Sequence, residues 1–119
     1  MDFTCVLKQN GSTVAATTTS ATFTVRSGIC TAQFMVTATA AGAIGDIVVT
    51  PTGLPAPKTT TPRARARGRY RFTRAGINER AGTVWWSSAS TDIYFSELIG
   101  AVAIASTDVL SATFKFPVA

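Results

Sequence analysis

The chain has 119 residues and a formal net charge of +5, and this length predicts a single domain, residues 1–119, with one hydrophobic core. It contains no histidine, which excludes Ser-His-Asp and Cys-His nucleophile systems and the common zinc sites. Threonine, serine and alanine are abundant while leucine, glutamate and lysine are scarce, so the composition favours strands over helices.

A β-hairpin is predicted at the start of the chain. Its first strand covers Phe3–Gln9 and is followed by the dipeptide Asn10-Gly11. This dipeptide is typical of a type I′ turn, which needs a positive φ at both central residues. The returning strand is predicted over Ser12–Thr17.

The next two strands are predicted from the alternation of apolar and polar side chains. The apolar face of the first consists of Ala21, Phe23 and Val25. Ser27-Gly28 then marks a second hairpin turn, and the following strand spans Ile29–Ala40. The apolar face of that strand is Cys30, Ala32, Phe34, Val36 and Ala38.

The middle of the chain combines short strands with a long loop. A strand over Asp46–Thr50 is expected to end at Pro51, because proline cannot donate a hydrogen bond to the ladder. Several prolines and a glycine make Thr52–Pro62 a predicted loop. Two further strands are predicted over Thr83–Ser88 and Asp92–Phe95.

The last part of the chain contains one open assignment and one clear strand. Ser96–Ala105 fits either a short helix or a buried strand, since periodicity cannot separate the two in so short an apolar run. The final strand alternates again, and its apolar face is Leu110, Ala112, Phe114 and Phe116. Seven or eight short strands without a long helix predict an all-β fold, an antiparallel β-sandwich of jelly-roll type.

Cys5 and Cys30 both lie in predicted strands. The start of the chain, Met1-Asp2-Phe3, shows no signal peptide, so we expect a protein made in a cytoplasm. We therefore favour buried free thiols and keep a disulfide between the two cysteines as the alternative. Membrane insertion is not expected, because no run approaches the roughly 20 apolar residues of a membrane span.

The acidic residues are scattered along the chain, each beside a predicted turn or strand end. They are Asp2, Asp46, Glu79, Asp92, Glu97 and Asp108. We predict that they are solvated, because glycosidase-type chemistry needs two facing carboxylates and calcium needs clustered oxygen ligands. No phosphate-binding glycine loop is present either. The sequence therefore predicts no catalytic residue, no metal site and no cofactor, and we expect a protein that is not an enzyme.

Positive charge is concentrated in one segment, which holds six arginines and no acid, so that the rest of the chain has a net charge of −1. These residues are Arg63, Arg65, Arg67, Arg69, Arg71 and Arg74. The first five recur with period two, which in a strand places them on one face at intervals of roughly 6.6 Å. Because like charges repel, that face must meet water or anions.

Three interpretations of the arginine segment remain open. It is a solvated edge strand or loop whose charges block aggregation. Alternatively it docks onto an acidic protein surface, or it binds nucleic acid or an anionic cell-wall polymer directly. Arginine suits bidentate contacts with carboxylates and with phosphates, so its chemistry does not separate the last two.

Trp85 and Trp86 form the other notable pair of residues. Adjacent residues in a strand point to opposite faces, so at most one of the two rings enters a simple sandwich core. The other ring is covered by a loop or exposed at a contact. We favour a subunit contact over a carbohydrate site, since tryptophan is a frequent interface hot spot.

Four short segments resemble the head domains of bacteriophage tail fibres and minor tail proteins. They are Phe23–Phe34, Gly45–Val49, Gly53-Leu54-Pro55 and Ile104–Phe116. The resemblance implies a jelly-roll sandwich, commonly trimeric, that decorates a virion or touches a host surface, and it implies no catalytic residue. The arginine segment departs from the family pattern, and so does the lack of a fibrous shaft before the domain.

We therefore expect a non-enzymatic virion structural protein, a minor tail or tail-tip component assembled in the host cytoplasm. Its expected partners are two further copies of itself in a homotrimer, other virion proteins and a host cell-surface polymer. One alternative is a capsid decoration (head-fibre) protein of similar fold. Another is a nucleic-acid or polyanion-binding module that uses Arg63–Arg74, which is disfavoured because Tyr70 and Phe72 are the only aromatic residues interleaved there for base stacking.

Overall fold

The computed structural model describes residues 1–56, 67–74, 78–86, 92–96 and 103–118. Over these residues the chain forms nine β-strands and no helix, which confirms the predicted all-β class. The strands are β1 (Thr4–Gln9), β2 (Ser12–Thr13), β3 (Ala16–Arg26), β4 (Ile29–Ala38), β5 (Ile47–Thr52), β6 (Arg67–Arg74), β7 (Asn78–Trp86), β8 (Ile93–Phe95) and β9 (Val109–Pro117). The undecided assignment at Ser96–Ala105 lies largely outside the described residues. None of the described segments is a helix of the length and hydropathy needed to cross a membrane.

All nine strands belong to one antiparallel sheet in the order β2-β1-β5-β8-β7-β6-β9-β4-β3. The sheet folds into two facing layers because β7 pairs with β6 over residues 78–83 and with β8 over residues 84–86. On the opposite side the N-terminal segment joins the layers, as Asp2 bridges Thr22 and the Phe3 amide donates to the Ala21 carbonyl at 3.1 Å. We call β3, β4, β9 and β6 the front layer, and β1, β5 and β8 the back layer.

Both predicted hairpin turns are confirmed. Asn10 and Gly11 have φ values of 52° and 77°, and Ser27 and Gly28 have 50° and 77°. A type I′ turn requires these two positive values in succession. Each turn brings its two strands into direct register, and this fixes which side chains face the core.

The core lies between the two layers and contains the predicted apolar faces of β4 and β9. The five residues of the β4 face are at most 2% exposed, and the four of the β9 face at most 5%. Phe34 packs edge-to-face against Phe114 and Phe95, with ring centroids 6.3 and 6.2 Å apart. Close packing of this kind makes these two strands the centre of the fold.

The returning strand of the first hairpin is shorter than predicted and ends at Thr13 rather than Thr17. Its successor Val14 is buried and donates its amide to the Leu7 carbonyl at 2.8 Å. The chain then crosses to the front layer, where the Ala15 carbonyl accepts a hydrogen bond from the Thr39 amide at 2.8 Å. The sequence could not reveal this crossing, because residues 17–20 are all threonine or serine and show no alternation of apolar and polar side chains.

Two further predictions need correction. Val25 is 41% exposed rather than inward, since the N-terminal segment pairs with β3 only as far as Phe23. Pro51 lies inside β5 instead of ending it. This is tolerated because β8 pairs with β5 only at Val48 and Val49, so the ladder at Pro51 is formed on the β1 side alone.

Gln9 is a buried polar residue that joins three segments of the chain. It is only 1% exposed. Its Oε1 accepts a hydrogen bond from the Ile104 amide at 2.8 Å, and its Nε2 donates to the Gly45 carbonyl at 3.2 Å. Because the side-chain amide is satisfied on both atoms, Gln9 anchors two irregular segments to the end of β1 without an uncompensated desolvation penalty.

Candidate docking surface on the arginine strand

The arginine strand β6 is a central strand of the sheet. Arg69 lies opposite Thr83 of β7 and Thr113 of β9, so β6 is paired on both sides. The interpretation of this part of the segment as an edge strand is therefore wrong. Arg63 and Arg65 lie outside the described residues. The backbone of Arg67 begins the strand opposite Lys115.

The predicted alternation along β6 is confirmed where side chains are described. Tyr70 and Phe72 are 3% and 4% exposed and face the core. The Tyr70 ring packs edge-to-face on Phe95 with centroids 5.3 Å apart, and its hydroxyl donates to the Ser96 carbonyl. Arg69 and Arg71 are exposed and project from the outer face of the front layer.

Arg74 departs from the arginine row and forms a structural ion pair. Its Nη2 lies 2.8 Å from Oδ2 of Asp108, a carboxylate whose side chain is 1% exposed. The same nitrogen donates to the Ala103 carbonyl at 2.6 Å, and the Ala105 amide donates to the carboxylate at 2.8 Å. The hydrogen bond with Asp108 raises the pKa of Arg74 above its ordinary value. Asp108 is thus not the solvated turn residue that was predicted, and Arg74 is not part of the docking surface.

A shallow groove runs along β9 on the outer face of the front layer. It has a volume of about 460 Å³, and we call it the β9 groove. One wall is formed by Arg69 and Arg71, and its lining includes Gln33 and Met35 of β4 on the other side. It exists because β9 contributes the smaller residues Ser111 and Thr113 between these longer side chains.

The β4 wall of the groove is held by hydrogen bonds to β3. The Ser20 hydroxyl donates to Oε1 of Gln33 at 3.2 Å. Nε2 of Gln33 donates to the Thr22 hydroxyl at 2.8 Å. The Gln33 amide therefore keeps one orientation, and the wall is preorganised.

A second, smaller groove lies on the other side of Arg69. It has a volume of about 340 Å³ and is lined by Arg69, Ala81, Gly82 and Thr83 among others. The Arg69 side chain thus stands between two depressions in the surface. Its charge is reachable from both of them.

The residues in direct register with the two exposed arginines are uncharged. The residues in register with Arg69 on the neighbouring strands are uncharged: Thr83, Thr113 and Gln33. Those in register with Arg71 are Ala81, Ser111 and Met35, which are uncharged as well. The residues in register with Arg69 therefore offer no carboxylate to its guanidinium group, and an anionic partner suits the chemistry of that group.

Trp85 marks a different surface, on the outer face of the back layer. Its side chain is 40% exposed, while the preceding Val84 is 1% exposed and faces the core. Trp85 lies opposite Tyr94, and Val6 of β1 in the same layer is 38% exposed. The backbone of Trp86 pairs with that of Ile93, and the structure describes only the backbone of this residue.

The remaining reactive groups do not assemble into a catalytic or metal site among the residues that the structure describes. No three histidine, cysteine, aspartate or glutamate side chains cluster there. Cys5 and Cys30 are both free thiols. Burial raises the pKa of Cys5 to about 12 and also raises that of Cys30, which disfavours the nucleophilic thiolate. Asp92 accepts a hydrogen bond from the Thr50 hydroxyl.

No protein-family model, no curated protein and no solved structure matches the chain. Of the segments that resemble phage tail proteins, Phe23–Phe34 covers the turn and the adjoining parts of the β3–β4 hairpin, and Ile104–Phe116 covers most of β9. These strands are neighbours in the front layer. The resemblance itself stays a prediction.

Proposed function

We propose that this chain is a non-enzymatic structural protein of a bacteriophage virion, a minor tail or tail-tip component. It docks onto an acidic protein of the particle through the outer face of β6. The observation that carries this proposal is the exposed Arg69 on a central strand, where the backbone is paired with both neighbouring strands and the residues in register are uncharged.

Docking accounts for this arrangement better than protection of a sheet edge. Charges protect an edge strand because its backbone groups are unpaired and could recruit another chain. The backbone of β6 is paired with β7 and β9, so it presents no such hazard. The paired strand therefore presents the Arg69 guanidinium outward from a fixed backbone, where an acidic protein surface can pair with it.

A protein partner fits this face better than a nucleic acid. Binding of single strands relies on aromatic rings that stack on the bases. The two rings interleaved with the arginines, Tyr70 and Phe72, are buried in the core and cannot stack. The outer face offers hydroxyl groups, an amide and guanidinium groups instead.

The particle assignment rests on the resemblance to tail proteins, and a capsid decoration protein of similar fold is the alternative position. Immunogold labelling of purified particles distinguishes the two positions directly.

The proposal includes a homotrimer, with the Trp85 surface as the subunit contact. It also includes contact with a host cell-surface polymer in the finished virion.

The docking role can be tested by incorporation of variants into particles. We expect the double variant Arg69→Ser/Arg71→Ser to fold normally and to be absent from purified particles. The charge-matched control is Lys8→Ser/Arg26→Ser, since these residues lie on β1 and at the far end of β3. Equal incorporation of both variants, measured by immunoblot against a coat-protein standard, would contradict the proposal.

A further inference from the structure

Lys115 lies on the same surface as Arg69. It is exposed on β9, whereas its neighbours Phe114 and Phe116 are each 1% exposed and face the core. The side chain of Lys115 therefore projects from the outer face of the front layer, as that of Arg69 does. Thr113, two residues earlier on β9, is exposed on this face and lines the β9 groove. Lys115 thus stands just beyond the part of β9 that forms the groove.

Arg69 and Lys115 are diagonal neighbours on adjacent strands. Arg69 is in register with Thr113, and Lys115 is two residues further along β9. Diagonal neighbours of this kind lie about 7–8 Å apart in an antiparallel pair. Both side chains are longer than half of that separation, so their charged ends can meet above Thr113. Because like charges repel, they stay together there only when an anion lies between them.

We propose that Lys115 is the second cation of the docking surface, and that it shares with Arg69 one acidic site of the partner protein above Thr113. This inference rests on the proposed docking function and adds a contact residue from a second strand. Carboxylates suit the site because arginine binds them in a bidentate manner, lysine adds a compact positive charge, and the hydroxyl of Thr113 can donate a hydrogen bond. The contact therefore extends across β6 and β9 rather than along β6 alone.

The chain itself supplies no carboxylate to this site at the positions that the register defines. Lys115 is in register with Thr31 on β4 and with the backbone of Arg67 on β6. Asp2 lies in the same cross-strand row as Arg69, but four strand spacings, or about 19 Å, separate the two. This is more than twice the screening length of about 8 Å at physiological ionic strength. The partner therefore has to provide the acidic groups.

Carbodiimide cross-linking of purified particles tests the contact directly, because this reagent joins an amine to an adjacent carboxylate without adding a spacer. We expect Lys115 to be coupled to an aspartate or glutamate of another virion protein, identified by mass spectrometry of the digested particles. Lys8 on the back layer is the matched control and should not be coupled to that protein. The variant Arg69→Lys keeps the positive charge and adds an amine at position 69. We expect that amine to be coupled to the same acidic segment as Lys115.

Incorporation of variants gives a second measurement. We expect Lys115→Ser to lower incorporation about fivefold when the protein is limiting, which is the effect of losing one exposed ion pair. Lys8→Ser removes the same charge from the back layer and should leave incorporation unchanged.

The outcomes separate this inference from the proposed function. A cross-link at position 69 without one at Lys115, or cross-links to different proteins, would overturn the shared site and leave docking through Arg69 in place. Loss of incorporation in both Arg69→Ser and Lys115→Ser without any cross-link would overturn it in favour of another anion, such as a phosphodiester polymer. If both amines are coupled to one acidic segment while Arg69→Ser enters particles normally, the shared site stands and the proposed role of Arg69 fails. Absence of the wild-type chain from purified particles would overturn both.

Discussion

At the scale of single residues, Arg74 shows that arginines of the same segment can have different roles. Arg69 and Arg71 project from the sheet, whereas Arg74 turns to a carboxylate that is 2% exposed as a whole residue. Asp108 also accepts the Ala105 amide, so it ties β6 to the segment before β9. A buried carboxylate is tolerated only when it is paired in this way.

Loss of the Arg74 guanidinium should destabilise the fold. We expect Arg74→Gln to lower the free energy of unfolding by about 2–3 kcal/mol, because Asp108 is left buried without its cation. The value lies below that for a fully buried pair, since a third of the Arg74 side chain is exposed. Urea denaturation measures the effect, with Arg69→Gln on the same strand as the control, expected within about 0.5 kcal/mol of wild type. An equal loss in both variants would contradict the structural role of the pair.

The buried thiol of Cys5 predicts a loss of stability at alkaline pH. Its pKa is about 12 in the folded chain, against an ordinary value of 9.0. The folded state therefore holds the proton more tightly, and this stabilisation is complete below pH 9 and lost as the pH rises from 9 through 12. From pH 7.5 to 10.5, wild type should lose about 2 kcal/mol relative to Cys5→Ala in urea denaturation. If the difference in free energy of unfolding between the two proteins does not change with pH, folding does not raise the pKa of the Cys5 thiol.

At the scale of elements, β4 and β9 are the pair of strands that the sequence predicted best, and both of their apolar faces are buried. They are in register from Ile29↔Pro117 to Thr37↔Val109. Their apolar faces could be predicted because alternation that continues over eight or more residues fits only one assignment of the inward and outward faces. Shorter elements were harder to place: β8 has three residues, and β7 begins five residues before its predicted start at Thr83.

Truncation of the central rings tests this pair of strands. We expect Phe34→Ala and Phe114→Ala each to cost about 3–5 kcal/mol, the usual range for a buried phenylalanine. Both side chains are 1% exposed. Met35→Ala is the matched control on the same strand, and because Met35 is 38% exposed we expect a change of at most about 0.5 kcal/mol. A loss under 1 kcal/mol for either phenylalanine in reversible denaturation would mean that the ring is not part of a close-packed core.

At the scale of the whole molecule, the sequence predicted the alternation of side chains along the strands but not the order of the strands in the sheet. The alternation of β6 predicted an arginine face, but the position of β6 between β7 and β9 depends on contacts some 40 residues apart in the chain. No local pattern encodes such a pairing. For this reason the residues alone left both the edge interpretation and the docking interpretation open. The ion pair between Arg74 and Asp108 was hidden by the same sequence separation.

The proposed homotrimer is tested by the mass of the protein in solution. We expect sedimentation equilibrium at micromolar concentration to give three times the monomer mass, because the tail proteins that the chain resembles are commonly trimeric. Trp85 and Val6 expose the apolar surface on the back layer that such a contact would use. We expect Trp85→Ser to weaken association by about 30-fold or more, the effect of removing a hot spot worth about 2 kcal/mol. Met35→Ser is the control, since its side chain is equally exposed but lies on the front layer. A monomer at all concentrations in the wild type would overturn the trimer. A trimer that is weakened equally by both substitutions would place the contact elsewhere than on the back layer.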